Sequence, residues 1–281
     1  MNAAAVLTEV APAKLNLALH VRARRADGYH ELETLFVFAR DGDLLTLVPA
    51  DAPSFVVTGP FGAMLGAGDD NLVLRAERAF GRAFGIATPH AITLDKRLPI
   101  ASGIGGGSAD AAATLRALAR CHGVAVNDPA LVGIAADLGA DVPPCLRGAA
   151  AFGSGRGDAL VPIAGLGDMP ALLINPLVAV STAAAFGAWD GIDRGAIVAG
   201  ETLTRAQAGR NDLQPHAEAL APAIREVSAE LRQAGGATFL RMSGSGATCF
   251  ALYDTLHARD SAAATIAARR PGWWQLATTI A

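Results

Sequence analysis

Residues 13–21, AKLNLALHV, alternate strictly: Leu15, Leu17, Leu19 and Val21 share one face, and Lys14, Asn16, Ala18 and His20 share the other. That period predicts a half-buried strand. Further strand-like runs lie at residues 33–38, 44–48, 55–58 and 90–94, with turn signals at Asp27-Gly28, Asp41-Gly42 and Gly59-Pro60. Residues 69–84, opening at Asp69, have helical spacing that turns Leu72, Ala76, Ala79 and Ala83 inward. A second helix is expected from a cap at Ser108 to His122, where Gly123 stops it. Asp128-Pro129 supplies the cap and first-turn proline of a third, ending near Leu138 at Gly139. Asp141 then falls in a short loop, GADVPP, stiffened by Pro143 and Pro144.

Farther on, VPIAGLGDMP at residues 161–170 gathers Pro and Gly ahead of a fresh apolar run, ALLINP. The boundary between two domains, 1–163 and 164–281, is placed there. Helical patterns follow at residues 181–188, 212–219 and 222–233, then a strand pair around the glycine turn of TFLRMSGSGATCFALY, and a last helix near residues 255–269. Strands and helices mix without an internal repeat, which points to an α+β fold.

Composition narrows the classes. With 281 residues, 52% hydrophobic and 17% charged, the chain can bury two cores, and neither disorder nor a fibrous repeat fits. No apolar run approaches a membrane span, and MNAAAVLTEVAPAKLNL has no basic region ahead of an apolar core, so a cytoplasmic protein without a secretion signal is expected. Cys121, Cys145 and Cys249 are odd in number and widely spaced, which suits reduced thiols. A net charge of −3 gives no basic field for nucleic acid.

The chemistry concentrates in LPIASGIGGGSADAA, residues 98–112. Gly103, Gly105, Gly106 and Gly107 allow positive φ and close approach of a ligand, and the helix that follows presents unpaired amides and the positive end of its dipole. A polyphosphate is the natural guest. The run is not a P-loop, because Ser108 and Ala109 stand where Lys and Ser or Thr are needed, and it lacks the third glycine of a dinucleotide fingerprint. Lys14 and Asn16, two residues apart, can face one cleft, and Asp141 is the carboxylate best fixed to act as a general base. The turn in RMSGSGATCF is either a plain hairpin or a ligand-closing loop, and GSGRGD at 153–158 reads as a surface turn.

Taken together, APAKLNL, RRADGYHELETLF, LPIASGIGGGSADAA, LGADVPPCLRG and RMSGSGATCF resemble the GHMP kinase superfamily over nearly the whole chain. RADGYHEL and GADVPP resemble its branch acting on a cytidyl diphosphate alcohol. The resemblance implies a two-domain GHMP kinase fold, with a ribosomal-protein-like N-terminal domain against a ferredoxin-like C-terminal one and the site between them. It implies ATP-dependent phosphorylation of the 2-hydroxyl of 4-diphosphocytidyl-2-C-methyl-D-erythritol in non-mevalonate isoprenoid synthesis. Asp141 would be the base and Lys14 the cation beside it. The ATP phosphates would lie on Pro99, Ile100, Ala101, Ser102, Gly103, Ile104, Gly105, Gly106, Gly107, Ser108 and Ala109, with Asn71 and Lys96 flanking the nucleoside. Asn16, Tyr29, His30, Thr182 and Phe186 would hold the cytidyl substrate, Tyr29 and Phe186 by stacking and His30 by reading the polar edge of cytosine. Mg²⁺ is expected with ATP and its protein ligands stay open; Ser108 is a possible one, while Asp110, just inside the helix, favours the dipole. The implied partner is a small molecule, neither nucleic acid nor membrane, and the chain a monomer or weak homodimer. A mevalonate or homoserine kinase is the alternative, against which RADGYH argues. A silent nucleotide-binding regulator is another, against which Lys14 and Asp141 argue.

Overall fold

The computed structural model describes residues 6–65, 68 and 70–281. Residues 1–5, part of the segment expected to carry no secretion signal, and Asp69, the expected start of the first helix, lie outside the described residues. In chain order the elements are β1 (Leu7–Arg24), β2 (His30–Pro49), β3 (Ser54–Thr58), α1 (Leu72–Phe84), β4 (His90–Asp95), α2 (Gly106–His122), α3 (Pro129–Leu138), α4 (Val142–Arg147), β5 (Ala151–Gly155) and β6 (Ala159–Pro162). There follow β7 (Met169–Asn175), α5 (Thr182–Gly187), α6 (Thr202–Ala208), α7 (Gln214–Leu220), α8 (Ala223–Ala234), β8 (Ala237–Met242), β9 (Cys249–Tyr253), α9 (Leu256–Arg269) and β10 (Trp274–Ile280).

These form two compact units interleaved along the chain. The first comprises the described residues within Met1–Ala13, Asp41–Ile100 and Gly105–Gly148, and the second Lys14–Arg40, Ala101–Ile104 and Ala149–Ala281. Strands β1 and β2 each run through both.

In the first unit, β3 runs parallel to β4, and the latter half of β2 runs antiparallel to β4 with Leu45 opposite Leu94 and Leu47 opposite Ile92. These four side chains are buried, as period-2 alternation requires of a covered face. Helices α1 to α4 pack on one another. Asn71 caps α1 by accepting from Val73 N, and Asp128 caps α3 by accepting from Ala130 N, with Pro129 at its first position. The inward stripe of α1 is Val73, Ala76 and Phe80, rotated one residue from the expected Leu72, Ala79 and Ala83, because Val73 and Phe80 fill more of the core.

Three expectations need correction here. Asp41-Gly42 does not turn the chain: β2 continues through it, and a Cβ on Gly42 would lie 1.9 Å from the Ala11 carbonyl oxygen. Glycine there permits a close strand crossing. Helix α2 starts at Gly106 with Gly105 as its cap in left-handed conformation, so Ser108 is its third residue and not the cap. Asp141 does lie in the short link after α3, but the prolines expected to stiffen that loop occupy the first turn of helix α4, and Asp141 stands at its N-terminal boundary without a side-chain cap bond.

In the second unit, β7, α8, β8, β9, α9 and β10 give the β-α-β-β-α-β chain order of a ferredoxin-like fold, with antiparallel spatial order β10-β7-β9-β8. Ile280 on β10 also pairs with Ala39 on β2. A core of Leu172, Ile174, Ile224, Val227, Leu231, Met242 and Ile266 lies against Leu19 and Val21. The strand expected to be half-buried is buried on both faces, since Lys14, Asn16, Ala18 and His20 are as inaccessible as the leucines. GSGRGD is split: residues 153–155 pair with β2 and β6, and only residues 156–158 turn.

Candidate active site

Ala101, Gly103 and Gly105 have positive φ (51°, 76° and 69°), so the backbone folds into the concave nest that aims amides at an anion. Gly106 and Gly107 do not need that freedom. Gly106 instead lets α2 rest on Lys96, whose Nζ would lie 3.1 Å from an added Cβ, and Gly107 meets only ordinary contact with Leu72 at 3.6 Å. No side chain caps α2, so the amides of Gly106, Gly107 and Ser108 have no intrahelical acceptor and stand at the positive end of the dipole. Arrangement and charge both suit phosphate.

Beneath that turn lies a buried charge trio. Lys96 Nζ donates to Asp43 Oδ2 at 2.6 Å and to Asp110 Oδ2 at 2.7 Å, and Asp43 Oδ1 accepts from the amides of Arg97 and Leu98. Burial pushes the Asp110 carboxyl up to about 7, against the pull of Lys96 and with the help of Asp43. Burial also works against the Lys96 ammonium, but the two carboxylates outweigh it and hold that group above its ordinary value. Asp43 lies 53 residues from Lys96, and no local sequence signal announces it. Asn71 and Asp141 belong to the same unit as this trio, Asn71 as the α1 cap and Asp141 at the head of α4.

In the second unit, Lys14 and Asn16 sit on β1 at 4% and 2% exposure. Lys14 Nζ donates to Asn16 Oδ1 at 3.1 Å and lies 5.3 Å from the centre of the Phe36 ring. Asn16 Nδ2 donates to Thr34 Oγ1 at 2.7 Å, and Asn16 N donates to Ser243 Oγ. The late glycine turn is a hairpin loop between β8 and β9 that also backs residues 102–104. Ser243 Oγ donates to Gly103 O at 3.0 Å, Thr248 Oγ1 to Ser102 O at 2.7 Å, and Lys14 N to Ile104 O at 2.9 Å. A Cβ on Gly103 would meet Ser243 O at 2.5 Å, so the two glycine segments touch main chain to main chain.

Of the cytidyl candidates in the same unit, His30 and Phe186 meet. Gly28 (φ 84°) turns the chain so that Tyr29 projects, 53% exposed, with the Arg156 guanidinium 5.2 Å from its ring. His30 packs on Phe186 at 5.0 Å and edge-on to Trp189 at 5.7 Å. Its Nε2 and the Trp189 Nε1 are buried without a protein hydrogen-bond partner. Thr182 Oγ1 lies 2.9 Å from Ser245 Oγ, joining the first turn of α5 to the glycine hairpin. Trp189 lies past the end of α5, and no local spacing in the sequence announces it.

Comparison with known proteins agrees on one family. The family model for the GHMP kinases N terminal domain matches residues 71–149, and that for GHMP kinases C terminal matches residues 196–271. A 4-diphosphocytidyl-2-C-methyl-D-erythritol kinase of Rhizorhabdus wittichii is 52% identical, over 97% of this chain and 94% of its own length. One from Novosphingobium aromaticivorans is 51% identical over 96% and 91%. A crystal structure of 4-(cytidine 5'-diphospho)-2C-methyl-D-erythritol kinase superposes with a TM-score of 0.78 at 34% identity, covering 98% of this chain and 99% of that one. Homoserine kinase from Cytophaga hutchinsonii, at 22% identity and a TM-score of 0.74, shares the fold.

Proposed function

The chain belongs to the GHMP kinase family, and from that premise we propose that it transfers the terminal phosphoryl group of ATP to the 2-hydroxyl of 4-diphosphocytidyl-2-C-methyl-D-erythritol, in non-mevalonate isoprenoid precursor synthesis. One observation carries the choice of acceptor: the buried, unpartnered ring nitrogens of His30 and Trp189 beside Phe186, with Tyr29 exposed next in sequence. A pyrimidine supplies a π face for the rings and a polar edge for the nitrogens. Homoserine and mevalonate have polar groups but no π face. Tyr29 and Phe186 stack on the base, His30 reads its edge, and Thr182 and Asn16 line the remainder.

In this reading residues 99–109 hold the ATP phosphates, through the nest at 101–105 and the first amides of α2. Asn71 and Lys96 serve the nucleoside end through the backbone they fix, Asn71 as cap of α1 and Lys96 beneath Gly106. Asp141 takes the proton of the 2-hydroxyl as that oxygen forms its bond to the terminal phosphorus. The bond from that phosphorus to the bridging oxygen breaks, and ADP leaves. The Lys14 ammonium, fixed by Asn16, offsets the charge spread over the transferring oxygens. The Ser108 hydroxyl fits as a protein ligand for Mg²⁺, which takes few protein oxygens beside those of a nucleotide. Of the Asp110 carboxylate, Oδ2 is held by Lys96 while Oδ1 is buried without a protein partner. When bound, Mg²⁺ would neutralise phosphate charge.

The two family matches fall on either side of residue 163, which supports the division into sequence halves 1–163 and 164–281, while the compact units themselves interleave, residues 14–40 and 101–104 belonging with the later half. No helix among the described residues is long and apolar enough to cross a membrane. We place the reaction in the cytoplasm and take a monomer or weak homodimer as the working form. Phosphorus NMR of the chain with Mg-ATP tests the function: a new monoester should appear with the cytidyl alcohol and not with homoserine or mevalonate. The reverse preference would sink the assignment. Asp141→Asn should retain ATP binding and lose about 10²- to 10⁴-fold in kcat.

A further inference from the structure

Helix α2 begins in the phosphate loop and ends, 17 residues later, in a second group of reactive side chains that the proposed reaction does not use. At 1.5 Å per residue the two ends lie roughly 25 Å apart. Cys121 and His122 occupy the last turn of α2, and His90 is the first residue of β4. One potential ligand atom from each of His90, Cys121 and His122 lies within 4.8 Å of the others.

The hydrogen bonding around them is that of a ligand set held ready. Glu77 Oε1 lies 3.1 Å from His90 Nδ1, which fixes the proton there and leaves His90 Nε2 with a free lone pair. His90 Nε2 and His122 Nε2 are 3.0 Å apart with their rings at 82°, so without a metal one proton bridges two nitrogens. Two imidazole nitrogens on one tetrahedral zinc stand about 3.3 Å apart, so an ion can replace that proton with little movement. The carboxylate behind the imidazole is the recurrent outer partner of zinc-bound histidine. His90 is buried while Cys121 and His122 are half-buried, and a cleft of ≈ 390 Å³ lined by Glu77, Arg78, Phe80, Arg82, His90 and Leu118 opens beside His90.

We propose that His90, Cys121 and His122 bind a divalent transition ion of the zinc class, through two imidazole nitrogens and one thiolate, clipping the start of β4 to the end of α2. Two nitrogens and a sulfur select zinc-like ions and reject magnesium, which demands oxygen. On binding, the thiol proton leaves to solvent, and the His122 proton moves from Nε2 to Nδ1. Three protein ligands leave the fourth position to water. Glu77 acts through His90 as a positioning residue.

The test is titration of the untagged, metal-free chain with Co²⁺ and then Zn²⁺. One equivalent of Co²⁺ should give a thiolate-to-cobalt charge-transfer band in the near ultraviolet; Zn²⁺ should displace it and raise Tm, and Mg²⁺ should do neither. Cys121→Ser, a half-buried and nearly isosteric change, should abolish the band. His122→Gln should weaken Zn²⁺ binding by about 100-fold or more, and Glu77→Gln by about 10- to 100-fold with the band kept. Absence of the band in the wild-type chain, which depends on no variant folding, would overturn the proposal. So would equal Zn²⁺ affinity in the wild type and in both ligand variants.

Discussion

Within the second unit, the surroundings of Lys14 and those of His30 are finished to different degrees. Around Lys14 the polar groups close on one another: Asn16 meets Lys14, Thr34 and Ser243, and Ser243 and Thr248 reach on to the carbonyls of Gly103 and Ser102. Around His30 two ring nitrogens are buried without a protein partner, and Tyr29 stands in solvent. An unmet buried polar group destabilises by about 1–3 kcal/mol, a penalty that a ligand able to pair with it removes. Groups that stabilise developing charge must be fixed before the substrate arrives, whereas groups that recognise it can be completed by it.

Four changes break or sharpen that contrast. The largest effect should come from Lys14→Met, with kcat down about 10²- to 10³-fold and both KM values nearly unchanged. A rise in KM at constant kcat would move Lys14 to the recognition side. Next, Gly103→Ala forces a Cβ to within 2.5 Å of Ser243 O at a φ of 76°, and should reduce stability by about 2 kcal/mol or more in urea unfolding. An unchanged midpoint would mean that the two glycine segments give way easily. Third, Tyr29→Ala should raise KM for the cytidyl substrate by the equivalent of about 1–3 kcal/mol while ATP binding is spared. Equal loss for both substrates would erase the distinction.

The smallest effect concerns pH. Burial, reinforced by the Arg24 guanidinium, holds the His30 imidazole below its ordinary value of 6.5. A depressed value means that the folded chain binds this proton less tightly than the unfolded chain. The stability contribution is therefore complete above about pH 6.5 and is lost as pH falls through the lowered value. KM for the cytidyl substrate should stay flat from pH 8 down past 6.5 and rise only as pH falls through that lowered value, and His30→Gln should remove that rise. A rise that persists in His30→Gln assigns it to another group.

Local signals carried much of the fold. Asp128-Pro129, the Gly123 stop and the glycine hairpin of β8 and β9 were legible because each is decided within a few residues. What stayed hidden depends on distant partners. Asp43 reads as a link between a turn and a strand until Lys96 closes on it, and Gly42 reads as a turn until Ala11 crosses it. Strands β5, β6 and β10 and helix α6 were not anticipated. β10 carries WQLATTI, which takes its meaning from β7 alongside. At the candidate site the motif residues were legible, while Trp189 and Asp43 emerge only from packing.

The pairing of Ala39 with Ile280 has a consequence for how the chain is made. As it emerges from a ribosome, the part of β2 around Ala39 waits through the synthesis of everything between, roughly tens of seconds at ordinary elongation rates, before its β10 neighbour exists, whereas residues 32–36 meet β5 sooner. For that interval an apolar strand edge is open to stray pairing, so nascent-chain holdases have a defined stretch to shield.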